Sequence, residues 1–442
     1  TPLYSSAASD VYKRQGLINN DKKTQLISDS MEKLGNKKLR FIPFRKQDVV
    51  EMCVQSIPDK TADKFRKFSK MLESIYHFEF HKVSENLKDE YAKYDPDSDT
   101  RTIDSFNKTS PPGDNRFVES LEALLEKANY ERITEADLNL ALCESSVFKI
   151  RLEVDFEDFD EVLLFCRGEH QREETFFRLW RWLPKTIKFT NYERVVVYLK
   201  FKQQLSKEAE SLGTCVPGAS LLKLFQNVPQ ADLEMLFPNT QVKMRLLDKL
   251  LIGIPALISG AVVLTTKMTA SLILLGTLIG FWFGFHQKPV VLDKTALLIL
   301  LAGVGAFGGY LWKQFNNFKN RKLTFMQSLT QNLYFKNLDN NAGVIFRLVN
   351  EAEEEECKEA LLAYYFLLIE EKPLSIKQLD QKIENWFLLS WHCELDFEID
   401  DAIDKLVKLE LVEKISEQYQ AIKLEQALSK MDSKWDNYFN YS

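Results

Sequence analysis

Cysteine is sparse and never closely paired. Cys53, Cys143, Cys166, Cys215, Cys357 and Cys393 stand far apart in a chain of 442 residues. With no C-x-x-C, the half-tetrahedron that a structural zinc site needs is missing. A disulfide framework suits short secreted chains rather than one of this length. The spacing therefore predicts free, buried thiols and a reducing compartment. The P-loop and the G-x-S-x-G nucleophile elbow are absent too. The glycines of Gly303–Gly309 lead into no Gly-Lys-Ser/Thr, so they read as a packing surface. Positive charge is not in excess. Lys and Arg number 58 against 64 Asp and Glu, a net charge of −6, which disfavours a nucleic-acid partner. Gly16–Leu39 is polar and Lys-rich, without the apolar core of a signal peptide. Thr1–Gln15 has no apolar periodicity and is set aside as an artefactual or disordered tail.

What is present is an ordinary globular composition, 45% apolar and 28% charged, unevenly spread. The length suggests about three units. Leu250–Thr266, Met268–Phe285 and Thr295–Trp312 carry no charged residue and run to 17, 18 and 18 residues. A bilayer core of about 30 Å takes about 20 apolar residues in a helix, and helix satisfies the backbone inside lipid. Gly276, Gly280 and Gly284 share one helical face, and Gly305 and Gly309 repeat the spacing. Small residues at that period let helices pack closely in lipid, within the chain or between copies. Lys243, Arg245 and Lys249 precede the region, and Lys313, Lys319, Arg321 and Lys322 follow it. Two basic flanks favour an even number of crossings, whereas three runs imply an odd one.

Upstream, helices are expected over Lys46–Ser56, Thr61–Lys93 and Phe117–Ala128. Alternation then marks strands at Phe148–Val154, Val162–Cys166, Lys185–Thr190 and Arg194–Phe201. Ser206–Pro238 reads as a helical connector. Downstream, helices are expected over Leu323–Tyr334, Val344–Glu371, Ile376–Phe387 and Phe397–Leu409, then short strands at Leu411–Ile415 and Tyr419–Leu424. Glu353–Glu356 reads as a solvated charge run. Three helices followed by a two-stranded wing is a winged-helix order. The acids Glu398, Asp400, Asp401 and Asp404 on its third helix repel phosphate and point to protein contact.

The patterns together predict an α+β membrane protein. Residues 1–15 form the tail, 16–240 an N-terminal α+β soluble domain, and 244–314 a transmembrane helical hairpin region. Residues 315–442 form a C-terminal helical domain, winged-helix-like over about 358–425. FIPFRKQDVVEM (Phe41–Met52), YDPDSDTR (Tyr94–Arg101), NVPQADLEMLFP (Asn227–Pro238) and the segment Asn332–Leu368 resemble the domain-of-unknown-function 3754 family. The resemblance extends from about Phe41 to Leu424. It implies a membrane protein with soluble arms, no established activity and no catalytic residues to carry over. Animal members, of the transmembrane protein 143 type, are mitochondrial and carry two membrane helices. This chain has three apolar runs, so crossing number does not transfer.

Candidate chemistry is thin. His77 and His81 lie i, i+4 on one helix, a metal-compatible spacing without a third ligand. Asp95, Asp97 and Asp99 open like a calcium loop, but Thr100 stands where glycine must turn. Asp155, Glu157, Asp158, Asp160 and Glu161 form an acidic turn in which Phe156 and Phe159 are expected to be the anchors. Phe176–Leu183 interleaves Arg178 and Arg181 with aromatics, a pattern suited to lipid headgroups. No cofactor is expected. The expected function is a membrane-anchored interaction or scaffold protein. Its partners would be the lipid bilayer, other proteins and further copies through the Gly-rich helices, without nucleic acid. Its location would be integral to a membrane: the inner membrane of a bacterial cell, or mitochondrial as in the animal relatives. A membrane-tethered hydrolase using Asp97, Asp155 and Asp158, or a transporter component, are the alternatives.

Overall fold

The computed structural model describes residues 38–98, 115–134, 138, 151–177, 184–206, 213, 215–243, 258, 261–262, 265, 269–284, 293–370 and 372–439. The chain mixes helices with a sheet and divides into two units. The first takes its described residues from 1–144, 156–233 and 336–442; the second from 145–155 and 234–335.

In the first unit, helices α1 (Lys46–Val54), α2 (Asp59–Tyr91) and α3 (Arg116–Lys127) lie close to expectation. Phe65, Phe68, Leu72, Ile75 and Tyr76 recur at helical spacing on α2 and are buried. The sheet is antiparallel, ordered β1 (Glu131–Arg132), β3 (Phe159–Phe177), β4 (Pro184–Phe201), β5 (Ser220–Pro229) and β7 (Asn337–Asn340). Its core face sets Leu163 and Phe165, Val196 and Tyr198, and Leu222 and Leu224 against the helices. That is the period-two pattern of a half-covered sheet.

Two strand expectations change. The short strands foreseen at Val162–Cys166, Lys185–Thr190 and Arg194–Phe201 belong to one long β3–β4 hairpin, paired from Phe159↔Phe201 to Phe177↔Pro184. The polar stretch Glu169–Glu174 has no alternation of its own, and its partner strand holds it extended. Gly168 kinks β3 at φ +73, where a Cβ would lie 2.8 Å from Glu193 Cγ. The connector expected to be helical over Ser206–Pro238 instead holds β5 and a 3-10 turn at Gln230–Leu236. Ser220, Leu222 and Leu224 are buried while Leu221 and Lys223 are half-buried, so the alternation suits a strand between β4 and β7.

Helices α6 (Ala342–Ile369), α7 (Ile376–Trp391) and α8 (Ile399–Lys408) follow β7, then a hairpin of β8 (Val412–Ile415) and β9 (Gln418–Ala421), then α9 (Leu424–Asp436). Ser375 caps α7 with a reciprocal Gln378 contact, a capping box. Helix α6 is the hub: α1, α2, α3, α7 and α8 all pack against it. The segments read as separate soluble arms therefore share one core. Strand β7, which follows the apolar region, pairs with β5, which precedes it.

In the second unit, β2 (Arg151–Glu153) pairs with β6 (Gln241–Lys243), and α4 (Thr269–Trp282) and α5 (Lys294–Lys336) carry apolar sequence. Ser271 Oγ donates to Ile299 O at 2.7 Å, joining α4 to α5. The first apolar run, 250–266, lies outside the described residues apart from 258, 261–262 and 265.

Candidate functional site

The densest polar chemistry sits inside the first unit, on α6. Glu353, Glu355, Glu356, Lys358 and Glu359 are all buried there, which corrects the solvated reading of Glu353–Glu356. The reason lies in the same helix: Leu361–Phe366 is apolar and buried all round, so this part of α6 has no water-facing side. Burying carboxylates is costly unless each is paired or neutralised, and the neighbouring elements supply partners.

Lys358 Nζ reaches Glu355 Oε1 at 2.9 Å and donates to Ile42 O at 2.8 Å, while Ile42 N donates to Glu355 Oε2 at 3.0 Å. The segment before α1 is thereby stitched to α6. Glu353 accepts at 2.9 Å from His77 Nδ1 on α2 and lies 3.6 Å from Lys46 Nζ. Glu356, at 1% exposure, meets Lys405 Nζ of α8. Glu359 Oε1 accepts from Asn129 Nδ2 at 2.9 Å. Burial pushes the Glu359 carboxyl well above the ordinary carboxylate range, and the Asn129 donor opposes this only in part.

Glu351 completes the row. Tyr130 Oη donates to its Oε2 at 2.7 Å and Arg167 Nη2 lies 3.1 Å away. The Arg167 guanidinium is held between the Phe41 and Tyr130 rings, 5.0 Å from each centroid, and donates to Ala128 O at 3.2 Å. Stacking of this kind suits a planar cation in a dry site. Beside it lies a cleft of about 20 Å³ lined by Arg40, Phe41, Asn129, Glu131 and Arg167, among others. That is room for little more than one water.

The sequence-level metal candidates do not converge. His77 and His81 are exposed in mid-α2, and His77 is engaged by Glu353. Asp95 Oδ1 accepts from Asp97 N at 3.0 Å, an Asx turn beyond the end of α2. Asp97 Oδ2 accepts from Asn341 Nδ2 at 2.6 Å. Asp99 lies outside the described residues. Among the described residues, no group of three or more His, Cys, Asp or Glu has metal-holding geometry. In the acidic turn the anchors also differ from expectation. Phe159 is buried against Phe201, but Phe156 is 39% exposed, and Asp158 is buried instead, accepting from Ser206 N at 2.8 Å. The Arg- and Trp-rich 178–183 segment lies outside the described residues.

Asn341 is a polar site that sequence reasoning missed. It is buried at φ 48, and its Oδ1 accepts from Tyr91 Oη at 2.9 Å and from Leu222 N at 3.1 Å. Nothing in a lone Asn between Asn340 and Ala342 announces that role. Five cysteines, Cys53, Cys166, Cys215, Cys357 and Cys393, are free and buried, and burial pushes the Cys357 thiol up to about 12.

In the second unit, one helical stretch among the described residues is long and apolar enough to cross a membrane: Lys294–Asn317 of α5, 24 residues and only 6% buried. Leu298, Leu301, Val304 and Trp312 stand more than half exposed along it. A Cβ built at Gly276, Gly280, Gly284, Gly305 or Gly309 meets nothing within 4 Å, so the glycine faces are open. Gly284, at φ +78, sits just past the end of α4.

No solved structure matches this chain. Residues 192–343, which run from β4 through the apolar region to the start of α6, match the family model described as "Protein of unknown function (DUF3754)". Over that segment, about a third of the chain, the protein is similar to the domain-of-unknown-function 3754 family.

Proposed function

We propose that this chain is a membrane-anchored protein whose folded unit outside the bilayer binds a protein partner. One observation carries the anchoring: Lys294–Asn317 is an apolar helix in whose most apolar stretch only 6% of the residues are buried. At 1.5 Å per residue it is about 36 Å long, enough for a hydrocarbon layer of about 30 Å. A core helix of a water-soluble domain would be covered by its own chain, whereas a bilayer covers this one without further protein. The helical region 244–314 is then the integral-membrane segment. The location follows: the inner membrane if the cell is bacterial, a mitochondrial membrane if it resembles the animal members.

The protein-contact role rests on the C-terminal module. The order α6, α7, α8, β8, β9 is that of a winged helix, and Leu374, between α6 and α7, bridges to Tyr419 of the wing as a first short strand would. Asp400, Asp401 and Asp404 outnumber Lys408 on the exposed face of α8, where a DNA reader would need cations. The hydrolase reading is weaker, because Asp97 and Asp158 each hold a backbone or side-chain donor in place.

Alkaline carbonate treatment of membranes carrying the full chain tests the anchor. Retention in the pellet is expected, and release into the supernatant contradicts it. Crosslinking in intact membranes tests the module. A defined protein captured through α8 or the wing is expected. Turnover of a small-molecule ester or phosphate by the pure chain would replace this reading with the hydrolase one.

A further inference from the structure

The apolar region is inserted into the first unit rather than placed between two domains. Strand β5 precedes it and β7 follows it, and they pair through Lys223↔Asn340, Leu224↔Asp339 and Phe225↔Asn337. Asn341 N donates to Leu222 O at 2.6 Å, and Asn341 Nδ2 to Asp97 Oδ2 at the same distance. Further from the junction, Lys64 reaches Glu425 at 2.6 Å and Lys38 reaches Glu384 at 2.9 Å. Phe68 of α2 stacks on Tyr364 of α6, centroids 4.3 Å apart. The described residues of the first unit on the two sides of the insertion are thus joined by groups in direct contact.

A hydrocarbon layer of about 30 Å cannot lie between atoms 3 Å apart. We infer that the membrane segment leaves and rejoins the first unit on one face of the bilayer, so that the chain crosses an even number of times and both flanks share one compartment. The inference rests on α5 being a membrane helix, as proposed above. With α5 as one pass, the sequence between β5 and α5 supplies an odd number of further passes. The N-terminal end of α5, at Asp293 and Lys294, then faces the opposite compartment. Cation placement adds the side. Exposed Lys313 and Lys319 on α5, with Lys243, Arg245 and Lys249 in the sequence ahead of the region, put the unit on the face that retains positive charge. That face is the cytoplasm or its organellar equivalent, where buried reduced thiols such as Cys53 and Cys357 are at home.

The test uses the full chain in sealed vesicles, with Cys143→Ser as background and single cysteines at Lys60→Cys, Lys288→Cys and Glu417→Cys. Lys60 and Glu417 are exposed on either side of the insertion. A membrane-impermeant maleimide is applied before and after permeabilisation. Positions 60 and 417 are expected to label together, with 288 labelling in the reciprocal condition. Labelling of 60 and 417 in opposite conditions overturns the even-pass inference. All three labelling alike overturns instead the reading of α5 as a membrane pass, and the inference falls with it.

Discussion

Asn341 donates its side-chain amide to Asp97 across 244 positions of sequence, at 2.6 Å. The same side chain accepts from Tyr91 Oη and Leu222 N. One residue therefore ties the turn after α2, the central strand β5 and the start of α6. Its backbone, at φ 48 and ψ −122, lies outside the left-handed helical region, in a conformation that residues other than glycine seldom adopt. Asn341→Ala leaves the buried Leu222 N–H without an acceptor, at about 1–3 kcal/mol, while Tyr91 Oη keeps Ser220 O at 3.1 Å. We expect a loss of about 1–3 kcal/mol in urea unfolding of the detergent-solubilised chain. Asp97→Asn keeps an acceptor oxygen and should cost under about 1 kcal/mol. If Asp97 served a cation instead, Asp97→Asn would abolish a metal-dependent thermal shift that Asn341→Ala left intact.

Glu359 gives a pH signature. Its folded-state carboxyl is raised well above the ordinary 4.5 by burial. Between pH 4.5 and that higher value the unfolded chain has lost the proton while the folded chain keeps it. This group's contribution to stability therefore declines as pH rises through that window. Glu359→Gln removes the titration and retains an acceptor for Asn129. The variant should be the more stable form at pH 7, with the gap closing toward pH 4–5. Urea midpoints across that range check it; a gap independent of pH would contradict it.

The Glu356–Lys405 contact docks α8 onto α6. Lys405→Met strands a carboxylate at 1% exposure and should cost about 3–5 kcal/mol. Adding Glu356→Leu should recover most of that, since a packed apolar pair often equals a buried ion pair. A double-mutant cycle with no recovery would mean that the two side chains act independently.

The buried thiols should resist modification. Burial raises Cys53, Cys357 and Cys393, and the thiolate is the reactive form. Native protein should leave these three unlabelled by maleimide over a period in which urea-unfolded chain reacts fully. Fast labelling of Cys357 would show that α6 opens locally.

Most helices were legible because their apolar spacing and stops are local. Pro58 precedes α2, Pro373 follows α6, and the apolar stripe on α2 is continuous. The hairpin β8–β9 was legible for the same reason. What escaped depends on partners far away in sequence. Glu353–Glu356 looks like a water-facing run until α1, α2 and α8 bring His77, Lys46 and Lys405 to it. The available signal was the following Leu361–Phe366 stretch, which leaves no polar side. Strand β5 has little signature of its own, because its alternation is short and bounded by Pro217 and Pro229. The joining of the two arms through β5 and β7 has no local signature, since β7 is only the polar Asn337–Asn340.

The anchoring of α5 is tested most directly by depth. Nitroxide labels placed singly at Leu298, Leu301 and Val304, with the full chain in lipid vesicles, report their surroundings through collision with dissolved oxygen and with a water-soluble nickel chelate. A membrane-crossing α5 requires high oxygen and low chelate accessibility at all three, with the reverse at Glu417 in the wing. Chelate accessibility at Leu301 equal to that at Glu417 would place the helix in water and contradict a bilayer anchor.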